Sequence, residues 1–600
     1  QYKLNSQVPE PRTPAPRTKN SPFQTNSLTP IIAAISWHKL NWWIVTCMIT
    51  IFIDHKLERF AKEIRYSFDF IFHSLGLSHR YESDAEELKP NDIVVLYSFS
   101  EPDEAQIKSL AKHVATIFIT CDVKLYEPNG LNSESLRRYM KEEKLLYPTR
   151  IISTRSFNNI AENYIDEEIS GGKINFDLVG NIFYHLAGLE RSYYPSHEGN
   201  QRFDDEQSAF YTYRHIPAVD SLLWLLESML KEHAQNKKIP LAQKCKWPEA
   251  QCMAVLLSHT VDDLQKWDLS SLVLSVADDF YLLFTLKIQQ WLHTLWGKLQ
   301  YLFTNYELYW NFDEFQELER ENDCHSTFYL GTDKCEDLDY GLEDADLQEE
   351  IAQILARGND IGLLLPNDKI SRDQMLSRKQ VMLHQLAREQ IGVRQMDYNS
   401  NLEIRILHEK IHPLYSQSSA FKDSPGFYDG TTLPFHPWLG GKASYLLLPT
   451  TYRDQYLRVN KHKILALDDA KAQIKNYFMQ ILRTHGIFSL DFSLASYNDI
   501  HYCHKLYAYI LALIKSQSTW TTTAKELSLW WEKRSRVTVE NDEYAINVYF
   551  DDDIDHFCLQ VHSETKIYEV QGMKAKIDKN IIRFANVKAG DAATLRFQKA

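Results

Sequence analysis

The sequence predicts an α/β protein built from several folded units and closed by a small all-β module. Three observations carry this expectation. Runs rich in β-branched and aromatic residues alternate with stretches of helical periodicity from about Met48 onwards. A length of 600 residues exceeds what a single hydrophobic core holds. From about Val537 the pattern changes to short apolar–polar alternation bounded by Asp and Gly, the signature of an all-β piece running to Ala600.

Taken in order, residues 1–30 hold six prolines and almost no apolar periodicity, which predicts an extended tail. Such a tail buries too little apolar area to order itself, so the expectation is that it packs on a folded surface and contributes to partner binding. Residues 48–240 read as an α/β unit. Ile49–Ile53 is a strand, Leu57–Leu75 repeats apolar residues at helical spacing, and Asp92–Tyr97 and Val114–Thr120 are strands on either side of a helix from Pro102 to His113. No glycine-rich phosphate loop follows any of these strands. A second unit, residues 245–534, opens at Lys246-Trp-Pro with a strand at Met253–Leu257. Its stretch 268–322 is helical and aromatic, with Phe280, Tyr281, Phe284, Trp291, Trp296, Tyr301 and Phe303, and such a stripe is expected to be core. Strands at Ser326–Leu330 and Asp360–Leu365 then alternate with helices around Leu347–Arg357 and Arg372–Gln390, and the alternation runs on to Trp531.

A net charge of −14, with no basic stripe, excludes a nucleic-acid backbone as the main partner. The eight cysteines form no C-x-x-C pair and are expected to be free thiols, although Cys245 and Cys252 bracket a turn at Trp247. The apolar stretch Ile31–Ile53 is broken by His38, Lys39 and Asn41, so a buried strand is expected there and not a membrane span. The chain starts at Gln1, and the expectation is an N-terminal piece removed or lying outside this sequence. Were that piece a signal peptide, the protein is exported or held in the cell envelope; otherwise it is cytoplasmic.

From Leu257-Ser-His-Thr-Val-Asp-Asp263 onwards the chain resembles the bacterial polysaccharide deacetylase (NodB-homology) family. The resemblance continues through His325-Ser-Thr-Phe-Tyr-Leu330, Asp360-Ile-Gly-Leu-Leu364 and Gly392-Val-Arg-Gln-Met396. It runs on through Gly426-Phe-Tyr-Asp-Gly-Thr-Thr-Leu-Pro-Phe435, Ser489-Leu-Asp-Phe-Ser493 and Leu529-Trp-Trp-Glu-Lys-Arg534. Phe176-Asp-Leu-Val-Gly-Asn-Ile-Phe183 and Tyr213-Arg-His215 look like landmarks of the α/β unit that precedes such deacetylases in some bacteria, so the likeness covers roughly residues 48–534. It implies a β/α barrel-like fold for residues 245–534.

The family's chemistry is metal-assisted amide hydrolysis: one Asp and two His hold a divalent ion, a second Asp is the base, and a late His is the acid. By resemblance, Thr260 stands at the base position and Asp262 at the metal carboxylate position. Leu364 and Met396 stand where His is expected, Tyr428 where Arg is expected, and Ser493 where the acid His is expected. A threonine hydroxyl takes no proton from water near neutrality, and one carboxylate without imidazoles holds zinc poorly. The histidines near these motifs, candidates to substitute, are His259, His408, His436 and His485.

One further motif competes. His408-Glu-Lys-Ile-His412 matches H-E-x-x-H, the zinc-protease pattern with Glu409 as base. Lys410 inside the motif and Pro413 directly after it argue against a buried metal helix. No G-x-S-x-G elbow occurs, Cys324 and His325 point to opposite faces as strand neighbours, and Asp551–Asp553 reads as a solvated turn. The expectation is therefore a deacetylase-like fold without its chemistry, with no cofactor and no metal, acting as an interaction or scaffold subunit with protein partners. The alternatives kept open are a metal-dependent deacetylase of a surface or secreted glycan with rearranged ligands, and a glycan-binding protein.

Overall fold

A computed structural model describes residues 46–47, 49–83, 92–99, 115–127, 172–174, 176–192, 203–265, 275–286, 288–304, 308–367, 371–398, 400–460, 463–542, 545–563 and 567–597. The Pro-rich tail and the helix expected at Pro102–His113 lie outside them. Among the described residues no helix is long and apolar enough to cross a membrane.

The first α/β region is a five-stranded parallel sheet in the order His79–Tyr81, Ile49–Ile53, Ile93–Ser98, Ala115–Thr120, Lys173–Ile174. Its central strand, Ile-Val-Val-Leu-Tyr-Ser, is buried on both faces, which is why the sequence shows an unbroken apolar run there. The helix Ala61–Leu75 packs on Leu178–Leu186 and Ala218–Asn236. It ends at Gly76 with φ 72°, where an added Cβ would collide with the Lys244 carbonyl oxygen, so only glycine fits.

The central region is an all-parallel barrel. Met253–Thr260, Ser326–Leu330, Asp360–Leu365, Val393–Gln395, Tyr415–Ser419 and Leu446–Pro449 pair in that order. On its other side Met253–Thr260 pairs with Ile487–Asp491, which pairs with Tyr452–Arg453. The stretch 446–453 thus belongs to both ends of the sheet. Thr450 N donates to Ser419 O at 2.9 Å and Thr451 N to Ser489 O at 3.1 Å, which closes the ring. Helices Ala345–Ala356, Arg372–Gln385 and Leu402–Ile411 follow the strands Ser326–Leu330, Asp360–Leu365 and Val393–Gln395 in the chain, and Leu467–Thr484 precedes Ile487–Asp491. All strands being parallel, every loop that follows one opens at the same rim.

The C-terminal strands are tied to distant chain segments. Thr538–Asp542 pairs with Thr46–Cys47, and Cys558–His562 pairs with Leu241–Lys244. Two buried cations pin this junction. Arg534 donates to the carbonyls of His73, Lys244 and Cys245 at 2.8, 3.1 and 2.7 Å, and Lys244 Nζ donates to Val537 O at 2.8 Å. A buried carboxylate, Asp429, joins the first region to the barrel by pairing with Arg191 at 2.5 Å and Arg405 at 2.9 Å.

One expectation is corrected. The aromatic stretch after Asp263 forms two helices, Val276–Phe284 and Ile288–Thr304, which pack on each other. Phe280, Phe284 and Trp296 are 60%, 87% and 63% exposed, so this part of the stripe is surface and not core. Helical periodicity marks an apolar face without specifying what covers it.

Candidate functional site

The barrel interior is recognisable from hydrogen bonds between strands that are not neighbours. Arg394 is fully buried on Val393–Gln395 and pairs with Asp491 of Ile487–Asp491 at 2.7 Å. Its Nη1 also donates to Thr260 Oγ1 at 3.0 Å and its Nη2 to Ser258 Oγ at 2.6 Å. Thr260 Oγ1 in turn donates to Asp491 Oδ2 at 3.0 Å. The guanidinium lies over the Tyr329 ring at 3.7 Å and near Tyr398 at 4.9 Å. One layer deeper, Tyr329 donates to Gln417 at 2.6 Å and Gln417 to Ser489 at 3.0 Å. Gly362 is needed beside Tyr329, because a Cβ there would collide with the phenol ring.

Two carboxyl groups crown this network. Asp262 follows Met253–Thr260, and burial together with the neighbouring Asp263 charge pushes its pKa up to about 7. Asp454 follows Tyr452–Arg453, and burial with the Asp491 charge pushes its pKa up to about 6. Ser493 Oγ donates to Asp454 at 3.0 Å. Beside them Arg453 is 7% exposed and lies over the Tyr398 ring at 4.2 Å.

The strand register places Leu364 opposite Arg394, on the inward face. Thr260, Asp262, Leu364, Met396 and Ser493 all sit at or just past the carboxyl ends of parallel strands, and so share one rim. Tyr428 is not brought to this group. It is buried under the Arg191 guanidinium, 4.1 Å from its ring, against the first α/β region.

The histidines do not complete a metal site here. His259 points away from the barrel interior, its ring nitrogens meeting Phe492 O and Glu319 Oε1, both at 2.9 Å. His485 lies at the opposite end, beside the Cys252 carbonyl at 2.9 Å. His436 pairs with Glu532 at 3.0 Å outside the barrel. In the H-E-x-x-H segment the helix Leu402–Ile411 ends one residue before His412. His408 is buried, and burial with the Arg405 charge lowers its pKa to about 3, whereas His412 caps the helix at φ 47° and is exposed. Among the described residues no group of three or more His, Cys, Asp or Glu side chains is placed to hold a metal ion. The mouth suits a divalent cation poorly: Asp262 and Asp454 stand beside further carboxyls but no imidazole joins them, Leu364 has no donor, and the Arg394 guanidinium adds positive charge.

Arg394, Asp491, Asp454 and Arg453 are the residues sequence reasoning missed. Arg394 and Asp491 lay inside motifs already singled out, and opposite charges within two apolar strands were the available signal. Arg453-Asp454 carried none, because its strand is two residues long.

The fold and site define a parallel β/α barrel with a polar interior, preceded by a parallel α/β region. Residues 52–235 match a family of unknown function, DUF7033. No curated protein matches the chain. Among solved structures the chain is similar to Agd3, a carbohydrate deacetylase, at 8% identity and TM-score 0.37, over 92% of this chain and 99% of that one. It is similar to a Mycobacterium smegmatis protein described as a polysaccharide deacetylase, at 13% identity and TM-score 0.33, over 47% of this chain and 91% of that one. Puue allantoinase is similar at 13% identity and TM-score 0.32, over 48% of this chain and 93% of that one.

Proposed function

We propose that this chain is a deacetylase-type barrel without metal-assisted amide hydrolysis, acting as an interaction or scaffold subunit. The observation that carries this reading is the state of Thr260. At the position where the resembling family has its base, the hydroxyl is bonded to Asp491 and to Arg394. A hydroxyl so held neither takes a proton from water nor stands beside a bound dication. Leu364, Met396 and Ser493 at the same rim supply no imidazole. What remains to offer is surface, and the helix pair Val276–Thr304 exposes Phe284 and Leu286 at 87% and 80%.

A specific observation keeps the second reading, a deacetylase with rearranged ligands, in play: Asp262 and Asp454 are both held near neutrality at one rim. One assay separates them. The full chain is incubated with N-acetylglucosamine oligomers and added zinc, cobalt or nickel, and released acetate is measured. The scaffold reading expects none above buffer. Metal-dependent acetate release that disappears in Asp262→Asn overturns it.

A further inference from the structure

A second cleft, away from the barrel mouth, has the composition of a ligand site. It measures about 320 Å³ and lies where the first α/β region, a barrel loop and the helix Ala524–Arg536 meet. One face of the helix Ala61–Leu75 lines it, contributing Lys62, Arg65, Tyr66, Asp69, Phe70 and His73 at helical spacing. Opposite stands the loop Pro434–Lys442. Phe435 pins that loop to the barrel by exchanging backbone hydrogen bonds with Leu447 at 3.2 and 2.7 Å. At Gly441 an added Cβ would meet nothing within 4 Å, so the cleft is open on that side.

The floor is aromatic. Tyr66 and Trp438 have ring centroids 5.1 Å apart, and Trp531 lies beneath His73 at 5.1 Å. The polar groups are unequally satisfied. The two acids are engaged: Asp69 with His79 at 3.1 Å and Tyr81 at 2.8 Å, Glu532 with His436 at 3.0 Å. Among the described residues Lys62, Arg65 and Lys442, all exposed at the rim, are in no ion pair, although the Arg65 guanidinium lies over the Tyr81 ring at 5.0 Å. His73 Nε2 and His436 Nδ1 are buried without a hydrogen-bond partner.

We infer that this cleft binds an acidic saccharide, its apolar ring face packed on Trp438, which Tyr66 supports from beneath, and its carboxylate held by Arg65 and Lys442. The aromatic floor suits the C–H face of a pyranose, and the three rim cations outnumber the carboxylates Asp69 and Glu532 and so favour a negative charge. The inference goes beyond the scaffold reading and stands whether or not the barrel hydrolyses anything.

The test is titration of the full chain with trigalacturonate, followed by tryptophan fluorescence and calorimetry, with maltotriose as a neutral control of equal length. Saturable binding of trigalacturonate that weakens as salt is raised, and little of maltotriose, is expected. Arg65→Ala with Lys442→Ala is expected to weaken binding about tenfold without altering thermal unfolding, both residues being exposed. Trp438→Ala should remove the fluorescence response. Asp262→Asn, at the barrel mouth, should leave binding unchanged, which separates this site from the barrel. Absence of trigalacturonate binding, equal binding of both sugars, or binding indifferent to the double substitution each overturns the inference.

Discussion

The barrel mouth and the cleft beside helix Ala61–Leu75 are both rich in charge, and they differ in where that charge is spent. At the mouth Arg394 meets Asp491, Thr260 and Ser258, so its strongest interactions are internal. In the cleft the acids are engaged locally while Lys62, Arg65 and Lys442 are in no ion pair among the described residues. The mouth is not wholly closed either, since Arg394 Nε and Arg453 Nε and Nη1 are buried without a hydrogen-bond partner, but its carboxylate Asp491 is held in an ion pair while the cleft's cations stand at an exposed rim. The mouth is where sequence resemblance directs attention, and the proposed ligand cleft lies apart from it.

The largest expected effect tests the closed nature of the mouth. Arg394→Met leaves Asp491 buried without its counter-charge and should cost about 3–5 kcal/mol of stability, read from urea denaturation. Arg394→Met with Asp491→Asn should recover much of that loss, because no lone charge remains. A cost for the single change below about 1 kcal/mol breaks the contrast, since it would make the pair no tighter than a surface one.

A smaller effect is pH dependence. The folded-state pKa of Asp262, about 7, lies above the ordinary 3.8, so between these values the folded chain binds more protons than the unfolded one. Stability from this group is therefore greatest in acid, falls as pH rises from about 4 to about 7, and is then constant. Asp454, raised to about 6, acts in the same direction. Asp262→Asn should flatten part of that slope and raise stability at pH 8 by about 1–2 kcal/mol, discounted for partial exposure. An unchanged slope in thermal melts between pH 4 and 8 would remove Asp262 from the network.

The smallest effect concerns the helix pair. Phe284 is 87% exposed, so Phe284→Ser should change monomer stability by no more than about 0.5 kcal/mol. It should nonetheless reduce association with protein partners in size-exclusion profiles of extracts from the source cells. A stability loss of several kcal/mol would show that the helices pack on the barrel after all.

Much of the fold was legible because it rests on local patterns. The unbroken apolar runs at Ile93–Ser98 and Asp360–Leu365 announced buried parallel strands, and Leu57–Leu75 announced a helix. The barrel's closure was not legible, since it depends on Thr450 and Thr451 switching partners within one short stretch. Nor was the pairing of Leu241–Lys244 with Cys558–His562, which joins segments more than three hundred residues apart. At the site, resemblance led to Thr260 and Asp262 but passed over Arg394 and Asp491, whose meaning lies in a contact across the barrel. His408 and His412 show the converse: a perfect motif whose two rings the helix end separates, one buried and one exposed.

The most direct test of the account is metal content. The full chain is equilibrated with equimolar zinc, cobalt and nickel, dialysed against metal-free buffer and measured by mass spectrometry. The account predicts far less than one ion per chain, and the same value for Asp262→Asn. One tightly held ion per chain, lost in Asp262→Asn, would contradict it and restore the barrel mouth as a metal-dependent active site.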